Sequence, residues 1–97
     1  MKASDIVLSL CGHDAGAVLF VMGVEEPYVF LADGKRRRVE NPKRKKHKHV
    51  RLLSEGEGRA ARKIRDGEKV TNNELRRALT EFKEKQQEEG QACQKMT

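Results

Sequence analysis

The sequence has few aromatic residues and few cysteines. Tryptophan is absent, and the aromatic side chains are one tyrosine and three phenylalanines. The two cysteines, Cys11 and Cys93, are too few for a secreted disulfide framework and lack the CxxC pairs of a zinc ribbon. We interpret both as reduced thiols in a cytoplasmic protein.

Signals for membranes, secretion and catalysis are also missing. The longest apolar run, residues 17–24, is far shorter than the roughly 20 residues that a spanning helix needs. The first residues do not combine a basic stretch with a long apolar segment, so we expect no secretion signal. No P-loop, dinucleotide fingerprint or paired nucleophile and histidine is recognisable, and His47 and His49 lack further metal ligands. We therefore expect no membrane contact, no cofactor, no metal and no enzymatic activity.

Positive charge is concentrated in one short segment. The net charge is +6, yet residues 1–34 contain one lysine and five acidic residues, and residues 52–97 are nearly neutral. Residues 35–51 contain ten lysines or arginines and a single acidic residue, Glu40. Because like charges at this density repel one another, folding alone gives no reason to place them together. The segment indicates a polyanionic partner, and we predict RNA.

The candidate RNA-binding residues are the basic side chains of this segment together with one histidine. Arginine can bridge two phosphate oxygens or stack on a base, whereas lysine acts as a mobile point charge. No aromatic residue lies within the segment, so we expect recognition of phosphates and shape rather than of sequence. A solvated basic loop and nonspecific DNA binding are the alternatives. The set comprises Lys35, Arg36, Arg37, Arg38, Lys43, Arg44, Lys45, Lys46, His47, Lys48 and Arg51.

The pattern of apolar and turn-forming residues in residues 1–53 predicts a small β domain. Their β-branched and apolar runs are short and end at glycine, proline or acidic residues, and Asp33-Gly34 is typical of a tight hairpin turn. Tyr28 and Phe30 are assigned to the core. Five short strands joined by tight turns favour a barrel, with four strands as the alternative. The strands are predicted at residues 6–10, 17–24, 28–32, 37–40 and 49–53.

The sequence predicts a helical extension at residues 54–85. It predicts a disordered tail at residues 86–97, which are mostly polar. A first helix at residues 59–66 is stopped by Gly67. The second begins with the capping-box spacing of Thr71 and Glu74, and Val70 and Leu75 occupy the positions of a hydrophobic staple. Its apolar stripe is assigned to packing on the barrel, with a protein partner as the alternative. The stripe consists of Leu75, Ala78, Leu79 and Phe82.

Several spaced blocks resemble one known family. Residues 8–21 resemble a KOW motif, in which two strands flank a glycine-bearing turn, here Gly12-His13-Asp14-Ala15-Gly16. The match continues through Leu31-Ala32-Asp33-Gly34, Arg38-Val39, Pro42-Lys43 and Lys48-His49-Val50. Residues 66–75 are similar to the tail of small bacterial KOW-domain proteins. The chain therefore resembles a KOW-containing large-subunit ribosomal protein family and its small bacterial homologues.

This resemblance implies a mainly β fold with an α extension: a small SH3-like (KOW) barrel followed by a C-terminal helical segment. It also implies binding to structured RNA, above all ribosomal RNA, with ribosomal proteins as further partners. Gly12, His13 and Gly16 become a weaker RNA-binding turn, because family members often have a basic residue where this chain has His13. We expect the free protein to be a monomer. The alternative function is an adaptor that recruits transcription or translation machinery through the barrel or the C-terminal helix.

Overall fold

The computed structural model describes residues 1–95, with side chains described as far as residue 86. This part of the chain contains an antiparallel sheet of five strands in the order β4-β3-β2-β1-β5, followed by two helices. The prediction of a mainly β fold with a helical segment is confirmed. The strands are β1 (Ile6–Ser9), β2 (Val18–Glu25), β3 (Tyr28–Ala32), β4 (Lys43–Lys46) and β5 (Val50–Ser54), and the helices are α1 (Gly58–Arg65) and α2 (Asn72–Lys95).

The sheet is open but strongly curled. Its two edges, β4 and β5, are joined by a single 3-10 helix, His47–His49. Flat strands about 4.8 Å apart would place these edges about 19 Å from each other. The four-residue connection from Lys46 to Val50 spans at most about 14 Å. The sheet must therefore bend around an enclosed apolar interior.

The two faces of the strands contribute to two hydrophobic clusters. Ile6, Phe20 and Ala32 form one row across β1, β2 and β3, and both helices pack over this row. Strands β1, β2 and β3 have residues buried on both faces, which agrees with their nearly continuous apolar sequences. The inner cluster consists of Val7, Leu19, Val21, Val29, Leu31 and Val50.

The predicted start of α2 is confirmed. The Thr71 hydroxyl accepts a hydrogen bond from the Glu74 backbone N–H at 3.1 Å, and the Glu74 carboxylate accepts one from the Thr71 N–H at 3.1 Å. These reciprocal bonds form a capping box. The row of Ile6, Phe20 and Ala32 and the residues of the helical segment packed on it form the outer cluster. Val70, Leu75 and Leu79 are buried in this cluster. The apolar stripe is thus an internal packing face, and the helical segment is docked on the sheet.

The end of α1 follows the sequence prediction as well. Gly67 has a φ of 74°, and its N–H donates to the Ile64 carbonyl oxygen while the Glu68 N–H donates to that of Lys63. This pair of bonds is a Schellman motif, which requires a residue in the left-handed region just after the helix. Glycine adopts that conformation without steric cost.

The predicted strand at residues 37–40 is wrong. The Asp33 carboxylate accepts the backbone N–H groups of Lys35 at 2.8 Å and Arg37 at 3.0 Å, which folds the chain into a loop. Side chains of this type compete with the strand ladder for backbone hydrogen bonds. The strand that pairs with β3 is β4, and it begins after Pro42, in the part of the basic segment where no strand was predicted.

The second helix is longer than predicted. It continues to Lys95, ten residues past the expected boundary at residue 85, because the Glu, Lys and Gln residues that follow have good helix propensity. Residues 96 and 97 of the predicted tail lie outside the described residues, as does the side chain of Cys93. Cys11 is exposed and not in a disulfide. No helix of the described residues is both long and apolar enough to cross a membrane.

Replacing Gly34 with alanine should destabilise the fold much more than the same change at Gly16. Both glycines have positive φ, 78° and 88° respectively, so alanine is strained at either position by about 1 kcal/mol. A Cβ on Gly34 would also overlap the Asn72 backbone carbonyl, whereas a Cβ on Gly16 would meet nothing within 4 Å. We expect losses of about 3 and about 1 kcal/mol in the free energy of unfolding, measured with urea. Equal losses would contradict the described contact between this loop and α2.

Candidate nucleic-acid interface

Most of the predicted RNA-binding residues form a continuous exposed strip. It runs along the loop between β3 and β4, then β4, the 3-10 helix and the start of β5. Among the described residues, none of its seven cations takes part in an ion pair. We call this surface the basic strip, and it consists of Lys35, Arg36, Arg38, Arg44, Lys46, Lys48 and Arg51.

Lys45, also predicted to bind RNA, instead points into the interior of the curled sheet. Its side chain is only 7% exposed. The ammonium donates to the Ser9 hydroxyl at 2.6 Å, the Cys11 carbonyl oxygen at 2.7 Å and the Asp14 carboxylate at 2.6 Å. An ammonium has three N–H donors, so none is left for a phosphate. We therefore remove Lys45 from the candidate interface.

Asp14 is the counterion of this buried lysine. Burial alone would raise the pKa of its carboxyl, but hydrogen bonds from Lys45 and Ser9 and the charges of Lys45 and Lys43 outweigh burial and lower the pKa to about 2. The amino-acid sequence alone does not indicate this pair, because the pairing requires β4 to lie across from the end of β1. Only the fold supplies that information.

Three other predicted residues are partly engaged elsewhere. Lys43 is half-buried, with its ammonium 3.5 Å from the Asp14 carboxylate. His47 lies with Nδ1 3.6 Å from the Glu26 carboxylate. Arg37 is less exposed than its two neighbours, and its backbone carbonyl accepts the N–H groups of Asp33 and Gly34. These residues border the basic strip rather than form its exposed surface.

The predicted glycine turn has the expected conformation. Gly12 and Gly16 both have a φ of 88°, and His13 between them is exposed. The Cys11 carbonyl oxygen and the Asp14 carboxylate attach the turn to Lys45 of β4. The turn is therefore held at one end of the sheet, with the acidic charge of Asp14 neutralised and His13 available to solvent.

Helix α2 supports the arginine-rich part of the basic strip. The Asn72 side chain accepts the Val39 backbone N–H at 2.8 Å and donates to the Glu40 carboxylate at 2.8 Å. The Arg76 guanidinium donates to the Gly34 carbonyl oxygen at 3.2 Å. The hydrogen bond from Asn72 is the main reason why the pKa of Glu40 is lowered. The only acidic residue of the basic segment thus bonds to the helix while Arg36 and Arg38 stay exposed.

The assignment of Tyr28 and Phe30 to the core is wrong. Both side chains are partly exposed on the outer face of β3, and neither belongs to the buried core. The register of β4 places Arg44 directly beside Phe30 and Lys46 beside Tyr28. The Arg44 guanidinium carbon lies 4.4 Å from the centre of the Tyr28 ring. The alternation along Tyr-Val-Phe-Leu-Ala could have shown that these rings share a face, but not which face is buried.

Within the part of the chain whose side chains are described, no three His, Cys, Asp or Glu side chains converge as metal ligands. Comparison with known proteins found no matching protein-family model and no matching curated protein.

Acid should weaken the fold through Asp14. Because its pKa is about 2 in the folded protein and 3.8 ordinarily, the unfolded chain binds the proton more readily between these values. The stabilisation, about 2 kcal/mol, is present above about pH 4 and lost as the pH falls towards 2. We expect Asp14→Asn to make the pH dependence of the unfolding free energy shallower by that amount in this window.

A second substitution provides the control for this prediction. At pH 7, Asp14→Asn leaves the Lys45 ammonium buried without a counterion, which is strongly destabilising. Adding Lys45→Met removes that charge and should recover part of the loss in urea unfolding. A double variant less stable than Asp14→Asn alone would contradict the ion pair described here.

Proposed function

We propose that this protein binds RNA through the basic strip. The observation that supports this proposal is the set of seven exposed lysines and arginines without ion-pair partners among the described residues. Self-repulsion of these charges destabilises the free protein, whereas a polyanion neutralises them. Phosphates that bind here release their condensed counterions, which supplies most of the sequence-independent affinity.

The proposed RNA is structured, and ribosomal RNA is the first candidate. The resemblance of residues 8–21 to a KOW motif supports this choice. In the structure, the same residues form the end of β1, a turn with two positive-φ glycines and the first part of β2. We further propose that the curled sheet corresponds to an SH3-like barrel of KOW type. Its five short antiparallel strands, with edges joined by one 3-10 helix, support that assignment.

An adaptor role through the C-terminal helix has less support. Leu75 and Leu79 are buried against the sheet, and Ala78 and Phe82 pack on the same cluster. A protein partner that uses this stripe would first have to displace the helix and expose the outer cluster. Deletion of residues 54–97 would expose the buried Phe20 and Ala32 side chains and thereby destabilise the sheet. Such a truncated protein is therefore a poor test of RNA binding.

Removal of charge from the basic strip should reduce the salt dependence of RNA binding. About six phosphate contacts predict a slope of about −4 to −5 in a plot of log K against log salt concentration. The triple variant Arg44→Gln, Lys46→Gln and Lys48→Gln should make this slope smaller by about 2 to 3. Fluorescence anisotropy of a labelled RNA stem-loop measures the slope.

A matched control removes the same number of charges from another surface. Arg59, Arg62 and Arg77 are exposed on the helices and lie outside the basic strip, so changing all three to glutamine lowers the net charge equally. We expect this control to keep the wild-type slope. Equal slopes for the two triple variants would overturn the proposed interface, and equal competition by DNA duplex would favour nonspecific nucleic-acid binding.

Sedimentation with ribosomal particles from the source organism tests the ribosomal part of the proposal. At near-physiological salt, we expect the protein to remain on one subunit, because a specific site adds shape-dependent contacts to the electrostatic attraction. The triple variant of the basic strip should be released into the soluble fraction. Release of the wild-type protein at the same salt would contradict a ribosomal site.

A further inference from the structure

We propose that the outer face of β3 and β4 stacks unpaired bases of the bound RNA, an inference that rests on the proposed RNA-binding function. The face consists of Tyr28, Phe30, Arg44 and Lys46, and we call it the aromatic platform. The sequence predicts recognition of phosphates and shape alone, because residues 35–51 contain no aromatic side chain. The strand pairing changes that expectation by bringing aromatic rings from β3 beside the cations of β4.

Phe30 lies in a row of residues across β2, β3 and β4, and this row includes a glycine that leaves space beside the ring. Its direct neighbours are Gly23 on β2 and Arg44 on β4. A Cβ added to Gly23 would meet nothing within 4 Å, so the surface next to the ring on that side is open. A larger side chain at this position would lie against the ring and cover it. The platform therefore presents an accessible aromatic surface at Phe30.

Tyr28 and Arg44 extend this surface along the strands. The guanidinium of Arg44 lies over the Tyr28 ring, and cation–π contacts of this kind orient the planar group on the ring. RNA-binding proteins stack unpaired bases both on aromatic rings and on arginine planes. Phe30 and the pair of Arg44 with Tyr28 thus supply two adjacent stacking positions.

The charges around the platform orient the RNA backbone. Glu25 on β2 is the direct neighbour of Tyr28 on one side, and Lys46 on β4 is its neighbour on the other. Phosphates are repelled by the first and attracted by the second, so the backbone should follow β4 while the bases lie over β3. Lys46 also lines an open cavity of about 630 Å³ together with His47, Lys48, Glu26 and Pro27, the residue that precedes Tyr28. This cavity has room for the sugar and phosphate that follow a stacked base.

Unpaired bases fit this surface better than a protein segment does. Among the residues whose side chains are described, the helices cover the row of Ile6, Phe20 and Ala32, and neither Tyr28 nor Phe30 belongs to the cluster that they cover. Strand β4 provides two exposed cations, Arg44 and Lys46, directly beside the rings. Rings interleaved with cations are typical of surfaces that bind single-stranded nucleic acid. A purely apolar partner would have to desolvate both cations.

The test compares two RNAs that differ in unpaired bases. One is a stem-loop with an eight-nucleotide loop, and the other is a fully paired duplex with the same number of phosphates. The full-length protein should bind the stem-loop about tenfold more tightly at near-physiological salt, since stacking of one base is worth about that factor. Tyr28 is the only tyrosine and tryptophan is absent, so quenching of the tyrosine emission by the stem-loop, but not by the duplex, reports stacking at the platform.

Substitutions then assign the preference to the platform. Tyr28→Leu and Phe30→Leu keep apolar side chains on β3 but remove the stacking planes, and together they should abolish the tenfold preference by weakening binding of the stem-loop much more than binding of the duplex. Phe82→Leu is the control, because it removes a ring of α2 that packs on the outer cluster, away from the platform. This control should keep the preference. Circular dichroism verifies that each variant is folded.

The outcomes separate this inference from the proposed function. A wild-type protein that binds both RNAs equally, or whose tyrosine emission is unchanged by the stem-loop, would overturn the platform and leave binding by the basic strip in place. Retention of the preference by the double variant would overturn it too. Failure to bind either RNA would overturn the proposed function and the platform with it. The tyrosine measurement requires no substitution, so it decides the question even if the double variant fails to fold.

Discussion

The buried ion pair between Lys45 and Asp14 is the interaction on which the arrangement of this surface depends. Strand β4 has the sequence Lys-Arg-Lys-Lys, which contains no apolar residue to face the interior. The interior accepts Lys45 because Asp14, Ser9 and the Cys11 carbonyl oxygen satisfy all three donors of its ammonium. Since successive side chains of a strand alternate, burial of Lys45 turns Arg44 and Lys46 outward. One interior contact thereby connects the glycine turn, the end of β1 and the orientation of the exposed cations.

Helix α2 holds the other part of the basic strip. Its first turn is attached to the loop between β3 and β4 through Asn72, and Arg76 contacts Gly34 of the same loop. The apolar stripe of the helix packs against the outer face of the sheet. The loop with Arg36 and Arg38 is therefore connected to the hydrophobic core by the hydrogen bonds of Asn72 and Arg76, even though the two arginine side chains are exposed. Helix and sheet act together in presenting the charges.

Local signals in the sequence predicted much of the fold. The side-chain contacts between neighbouring strands could not be predicted from the sequence, because they depend on which strands pair and in which register. The capping box at Thr71, the helix stop at Gly67 and the strand-forming runs each depend on a few neighbouring residues. The turn at Asp33 was misread because the Asp33 side chain bonds to the following backbone, which delays the return of the chain to β4. The strand that pairs with β3 was therefore predicted at residues 37–40 instead of Lys43–Lys46. With the wrong strand beside β3, the burial of Lys45 and the exposure of Tyr28 and Phe30 could not be predicted. Their positions depend on the pairing of β3 with β4, and composition contains no information on register.

The position of β4 at the edge of the sheet has a consequence for the free protein. An edge strand carries unpaired N–H and C=O groups that can add a strand from another molecule, and charged side chains are a common protection against such aggregation. A second copy of β4 placed alongside would bring Arg44 and Lys46 against identical cations. The charges that would attract a polyanion therefore also keep two copies of the sheet apart. Protection of this edge and the proposed RNA binding would depend on the same side chains, so a substitution here would affect both.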